Sequence, residues 1–246
     1  MLKTNDRLVE NRRFQTTQWS LVHGAFQTPA EQAGNCWNEL FQTYWYPLYA
    51  FCRRQGRSHA DAQDLTQGFC THLLTSSGRT AVGPAKGRFR SFLLASFRNY
   101  MANQARSART IRRGGAHQFF SLHADDVENR YSSRGACGES PEHEFEREWV
   151  AAILQRTRAR LAEDYRRADR QELFELLEPH MMAQDDALPR LEIGVRLKLS
   201  HAAIAMSIHR MRKRFGEILL SEVRLTIDDP EDAEDELRRL MATVVR

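Results

Sequence analysis

Between Lys86 and Arg113 the chain reads KGRFRSFLLASFRNYMANQARSARTIRR, with eight basic residues (Lys86, Arg88, Arg90, Arg98, Arg106, Arg109, Arg112 and Arg113) and no Asp or Glu. Such a stretch has few ways to fold. At helical spacing Phe89, Phe92, Leu93, Phe97, Tyr100 and Met101 fall on one arc and Arg98, Asn99, Arg106 and Arg109 on the other. One face can pack while the other meets anions. A solvated helix face normally mixes acids with bases, because like charges at i,i+4 repel by roughly 0.2–0.5 kcal/mol per pair. One-signed charge therefore predicts a nucleic-acid-binding helix, with Arg88, Arg90, Arg112 and Arg113 extending the basic run at its ends.

The 246 residues are 41% hydrophobic and carry a formal net charge of +4, enough for two small cores. The charge is segregated into a basic middle, an acidic stretch after residue 114 and an acidic C-terminal tail, so local sign matters more than the total. No apolar run approaches the roughly 18–20 residues of a membrane span, and the start, MLKTNDRLVENRR, lacks an apolar signal-peptide core. A cytoplasmic protein without a membrane partner is expected. Cys36, Cys52, Cys70 and Cys137 are scattered, with no C-x-x-C pair and no His at zinc-ligand spacing, which predicts reduced structural thiols and no metal site.

Helical spacing recurs along the chain. Trp37, Leu40, Phe41, Tyr44, Trp45, Leu48, Tyr49, Phe51 and Cys52 form a core stripe, with a break or kink expected at Pro47. Ser58 caps the next helix, whose first turns carry Asp61 and Asp64 and whose buried side is Leu65, Phe69, Leu73 and Leu74. A Gly-rich hinge, 76–87, precedes the basic helix. The expected domains are an N-terminal segment (1–29), a first helical domain (30–113), a flexible linker (114–140), a second helical domain (141–225) and an acidic amphipathic C-terminal helix (226–246). Ser140-Pro141-Glu142 starts the second domain, and Asp229 caps the tail helix, which is expected to dock on that second domain or to lie as an acidic lid over a basic surface.

Within the second domain, LEIGVRLKL (191–199) alternates as a strand would, and periodicity leaves its class open. Ser200 then caps a helix with Ile204, Ile208, Met211, Phe215 and Leu219 on one face and Ala202, Met206, His209, Arg210 and Lys213 on the other. A short element, a tight connection and a helix with a small, basic exposed face is the pattern of a helix-turn-helix.

In order along the chain, FQTTQWSLV, YWYPLYAFCRRQGRSHADAQDLTQGF, GRFRSFLLASFRN, RRGGAHQFFSLHADDVENRY and SHAAIAMSIHRMRKRF resemble stretches of the extracytoplasmic-function group of bacterial RNA polymerase sigma factors. The resemblance implies an all-α chain of two small helical domains, sigma-2-like and sigma-4-like, and a non-enzymatic role with no cofactor. It implies that Asp61, Asp64, Leu65 and Gln67 bind core RNA polymerase, that the basic helix meets the promoter's minus-ten element, and that an anti-sigma factor is a candidate partner. It also puts Leu191–Leu197 on the first helix of the helix-turn-helix, with Ser200, His209, Arg210, Lys213 and Arg214 contacting promoter DNA. The chain departs from the family's pattern at Lys198, where a glycine is common, at Ala205, where a basic residue is common, and at Gly68, where an acid is usual. Two other readings compete: a stand-alone helix-turn-helix regulator, and a metal-dependent hydrolase built on His59, Asp61, Asp64 and His72.

Overall fold

The computed structural model describes residues 30–74, 88–110, 124–133, 140–182, 188–227 and 229–244. These residues are helical throughout, with no strand among them: α1 (Ala30–Arg54), α2 (His59–Leu74), α3 (Phe89–Thr110), α4 (Ala124–Ser132), α5 (Pro141–Arg167), α6 (Gln171–Met181), α7 (Arg190–Leu197), α8 (His201–Arg224) and, after a 3-10 turn at Pro230–Asp232, α9 (Ala233–Val244). The N-terminal segment, the 76–87 hinge and Arg112 and Arg113 lie outside the described residues.

Helix starts stand where the side-chain chemistry puts them. The Asp61, His143 and Ala203 N–H groups donate to the hydroxyls of Ser58, Ser140 and Ser200 at 3.1, 3.2 and 3.2 Å, and the Glu231 N–H donates to Asp229 Oδ1 at 2.9 Å. Each such cap is worth about 1 kcal/mol. Pro47, by contrast, does not end its helix: α1 continues through it to Arg54. A missing N–H is tolerated there because Tyr44, Trp45, Leu48, Tyr49 and Phe51 are all buried around it, and each such side chain contributes roughly 1.5–3 kcal/mol of burial.

The chain divides into two compact units, one of 1–152 with 224–246 and one of 153–223. In the first unit Phe69 of α2 packs on Phe97 and Tyr100 of α3 at 4.9 and 5.7 Å between ring centres, and Phe51 of α1 meets Phe97 at 6.2 Å. The second unit is centred on Leu161, Phe174, Leu177, Ile193, Ile204, Ile208 and Met211, with the buried Glu222 carboxylate gripped by Arg156 and Arg160.

Three boundaries differ from expectation. The 114–140 linker contains α4, and its Val127 is buried while its Glu128 accepts from the Tyr49 hydroxyl and from Arg53 (2.7 Å). Arg130 of α4 lies 3.7 Å from the centre of the Tyr46 ring. Polar composition hid this helix because it docks through ion pairs and ring faces rather than an apolar stripe. The second unit begins inside α5 rather than at its start, since Phe145 and Trp149 are buried and Trp149 stacks on Tyr44 of α1. Finally, the C-terminal helix belongs to the first unit and not to the second.

Candidate nucleic-acid and partner surfaces

The basic helix α3 separates its faces as its spacing demands. Phe89, Leu93, Phe97 and Met101 are buried, whereas Arg98, Asn99, Asn103 and Arg106 are exposed. Asn103, one turn beyond Asn99, joins the polar face, and its i+4 spacing from Asn99 is the signal that sequence reading overlooked. Arg98 pairs with Glu142 of α5, both side chains being nearly half exposed. Ion pairs of that exposure are worth about 0–1 kcal/mol, so a phosphate can displace Glu142 at little cost. Arg109 lies within α3, and only its backbone is described.

Arg88 and Arg90 do not join that face. Arg90 is 1% exposed, ion-paired with Glu236 of α9 and lying 4.7 Å from the centre of the Trp149 ring, and Arg88 reaches the same carboxylate at 2.6 Å. Burial lowers the affinity of the Arg90 guanidinium for its proton, while Glu236 opposes the shift; an arginine starts high enough to stay charged. Burial alone would raise the Glu236 carboxyl, but hydrogen bonds and charge from Arg239 and Arg90 outweigh it and hold the group below the usual carboxylate range. Breaking a buried pair of this kind costs about 3–5 kcal/mol, so Arg90 is a structural cation rather than a DNA contact. The expectation of DNA contact fails here because nothing in the local sequence announces a carboxylate 146 residues away.

On α2, Asp61 and Asp64 are exposed one turn apart, with Leu65 and Gln67 half-buried beside them. The Ser58 hydroxyl donates to Asp61 Oδ2 at 2.7 Å, so Asp61 both completes the cap and presents charge outward. His59 is engaged by the Tyr49 hydroxyl (2.7 Å) and Glu128 (3.3 Å), and the His72 ring lies 5.4 Å from that of Tyr100. Among the described residues, His59, Asp61, Asp64 and His72 included, no group of three His, Cys, Asp or Glu side chains gathers as metal ligands would. Gly68 has its own explanation: a Cβ there would stand 2.5 Å from the Tyr100 hydroxyl, so α3 approaches α2 where any larger residue must displace the Tyr100 side chain.

In the second unit a short helix, a tight turn and a longer helix follow one another. The eight residues of α7 end at Lys198, which has φ 54° and ψ 41°. The Lys198 N–H donates to the Val195 carbonyl (3.4 Å) and the Leu199 N–H to the Gly194 carbonyl (2.9 Å), the paired bonds of a Schellman cap. Ser200 then caps α8, in which Ile204, Ile208 and Met211 are buried and His201, Ala202, Met206, His209, Arg210 and Lys213 are exposed. Arg214 pairs with Asp164 at 2.7 Å and with Glu217 at 3.5 Å; all three are about half exposed, so the pairing is as weak as that of Arg98.

No family model, curated protein or solved structure matches this chain. Among the described residues no helix is long and apolar enough to cross a membrane. The two candidate DNA faces lie in different compact units, Arg98, Asn99 and Arg106 in the first and Ser200, His209, Arg210, Lys213 and Arg214 in the second.

Proposed function

We propose that this chain is a bacterial RNA polymerase sigma factor of the extracytoplasmic-function type, which directs core polymerase to promoter DNA and assists strand opening. The observation that carries the reading is the succession of α7 and α8, which we read as a helix-turn-helix: an eight-residue helix, a left-handed turn and a capped 24-residue helix with basic residues on its outward side. A stand-alone regulator would need no more than that. The first unit adds an exposed acidic pair, Asp61 and Asp64, and an exposed polar and basic face on α3, which suit a basic protein partner and a nucleic acid respectively.

The work is binding, and the polymerase makes the bonds. Opening a duplex costs a few kcal/mol per unstacked step, which phosphate contacts from Arg98 and Arg106 and capture of an unstacked base on α3 can offset. Asp61, Asp64, Leu65 and Gln67 hold the polymerase, and His209, Arg210, Lys213 and Arg214 orient the second unit on upstream DNA. An anti-sigma protein is a candidate regulator.

The test is gel filtration of the full chain with sigma-free bacterial core polymerase, followed by transcription of a fragmented genomic library with the mixture. Co-elution and new defined start sites are expected. DNA binding by the chain alone, with no co-elution at low or moderate salt, would instead assign the stand-alone regulator.

A further inference from the structure

The first two turns of α8, His201 to Ile208, contain no Arg, Lys, Asn or Gln. Of their two polar side chains, Ser207 is half-buried and donates to the Ala203 carbonyl at 2.8 Å, and His201, the first residue of the helix, is exposed. The outward line through these turns is apolar. Ala202 and Met206 are exposed four residues apart, directly opposite the buried Ile204 and Ile208, and Met206 keeps 51% of its surface in water. The long cations Arg210 and Lys213 follow only one to two turns later.

In a helix-turn-helix the N-terminal residues of the second helix reach base edges while longer basic side chains hold phosphates. Guanine and adenine are read by two-pronged hydrogen bonds from Arg, Lys, Asn or Gln, whereas thymine offers a C5-methyl group that takes apolar contact. Ala202 and Met206 lie about 6 Å apart along the axis at 1.5 Å per residue, close to two base steps of roughly 3.4 Å. We infer that Ala202 and Met206 read the methyl groups of thymines two base steps apart in the major groove, so that the upstream element is selected by methyl contact rather than by hydrogen bonds. This rests on the proposed role of α8 as the DNA reader.

The experiment begins with the full chain and core polymerase selecting sites from a pool of random duplex DNA. Each thymine of the selected upstream element is then replaced by deoxyuridine, which removes one methyl and leaves every hydrogen-bonding edge intact. At one position, or at two positions separated by one base pair, affinity is expected to fall about three- to fivefold, the loss of one buried methyl contact. In Met206→Ala, whose exposed site leaves folding unaffected, the thymine and deoxyuridine duplexes should bind alike at the position Met206 reads. A specific element indifferent to deoxyuridine, or a deoxyuridine loss undiminished in Met206→Ala, overturns the inference and leaves the reader role of α8 standing. Selection of no sequence at all overturns both.

Discussion

Lys198 occupies a left-handed backbone position, φ 54°, at the turn between α7 and α8. A side chain there crowds the following carbonyl, at a cost of roughly 1–2 kcal/mol, of which glycine's greater unfolded-state freedom returns a part. Lys198→Gly should therefore stabilise the second unit by about 0.5–1 kcal/mol in chemical denaturation, and an unchanged midpoint would mean that the turn relaxes elsewhere. Gly194 has no such latitude, because a Cβ on it would lie 2.9 Å from the carbonyl oxygen of Leu199, the residue whose N–H closes the same turn. At Gly68 the constraint is again contact rather than torsion. Gly68→Ala should cost about 1–3 kcal/mol by driving a methyl into the Tyr100 hydroxyl, and Tyr100→Phe in the same chain should recover much of the loss. A double variant no more stable than the single one would show that the ring, not its hydroxyl, blocks the site. Lys198 and Gly68 both stood out in the sequence; only the coordinates distinguish a residue under torsional strain from one set by a close contact.

Helix α9 is held by charge as much as by apolar contact. Leu240 and Ala233 are buried, but Glu236 sits between Arg88 and Arg90, Arg239 reaches Glu146 at 3.1 Å, and the Phe89 N–H donates to the Thr226 carbonyl at 3.1 Å. Glu236 is held below its ordinary value of 4.5, so its contribution is complete above that pH and declines as pH falls through the lower folded value. Glu236→Gln should destabilise the first unit by up to about 3–5 kcal/mol at neutral pH, since it leaves the buried Arg90 with only the more distant Glu146 carboxylate, 3.8 Å away, as counter-charge. The variant should also lose part of the acid sensitivity below that pH. Denaturation melts between pH 3 and 7 check both effects, and parallel pH profiles for the two proteins would refute the ion pair's role. The sequence marked this helix, its Asp229 cap and its apolar side; the segment it covers was beyond reach, because pairing between distant charges has no periodic signature.

At the scale of the whole molecule the readings converge on salt and partner dependence. Arg98→Ala with Arg106→Ala should lower the slope of log affinity against log salt for promoter DNA by up to about 1.8, near 0.9 for each phosphate contact removed. An unaltered slope in titrations with the polymerase complex would take α3 off the phosphate backbone. Replacing Asp61 and Asp64 together should weaken co-elution with core polymerase while the helical circular-dichroism signal persists, as both side chains are exposed. Helical periodicity and capping chemistry, both local properties, sufficed to mark α1, α2, α3, α5 and α8, the caps at Ser58, Ser140, Ser200 and Asp229, and the two faces of α3. Residues 191–197 alternated like a strand and became a helix because Ile193 had a core to enter and Lys198 a turn to close. The tertiary structure alone decided that α4 docks where a linker was expected, that the first turns of α5 and all of α9 join the first unit, and that Arg90 is a core cation. The physical reason is the same in each case: a charged side chain is read from sequence as solvent-seeking, and its partner in space determines whether it is buried or free.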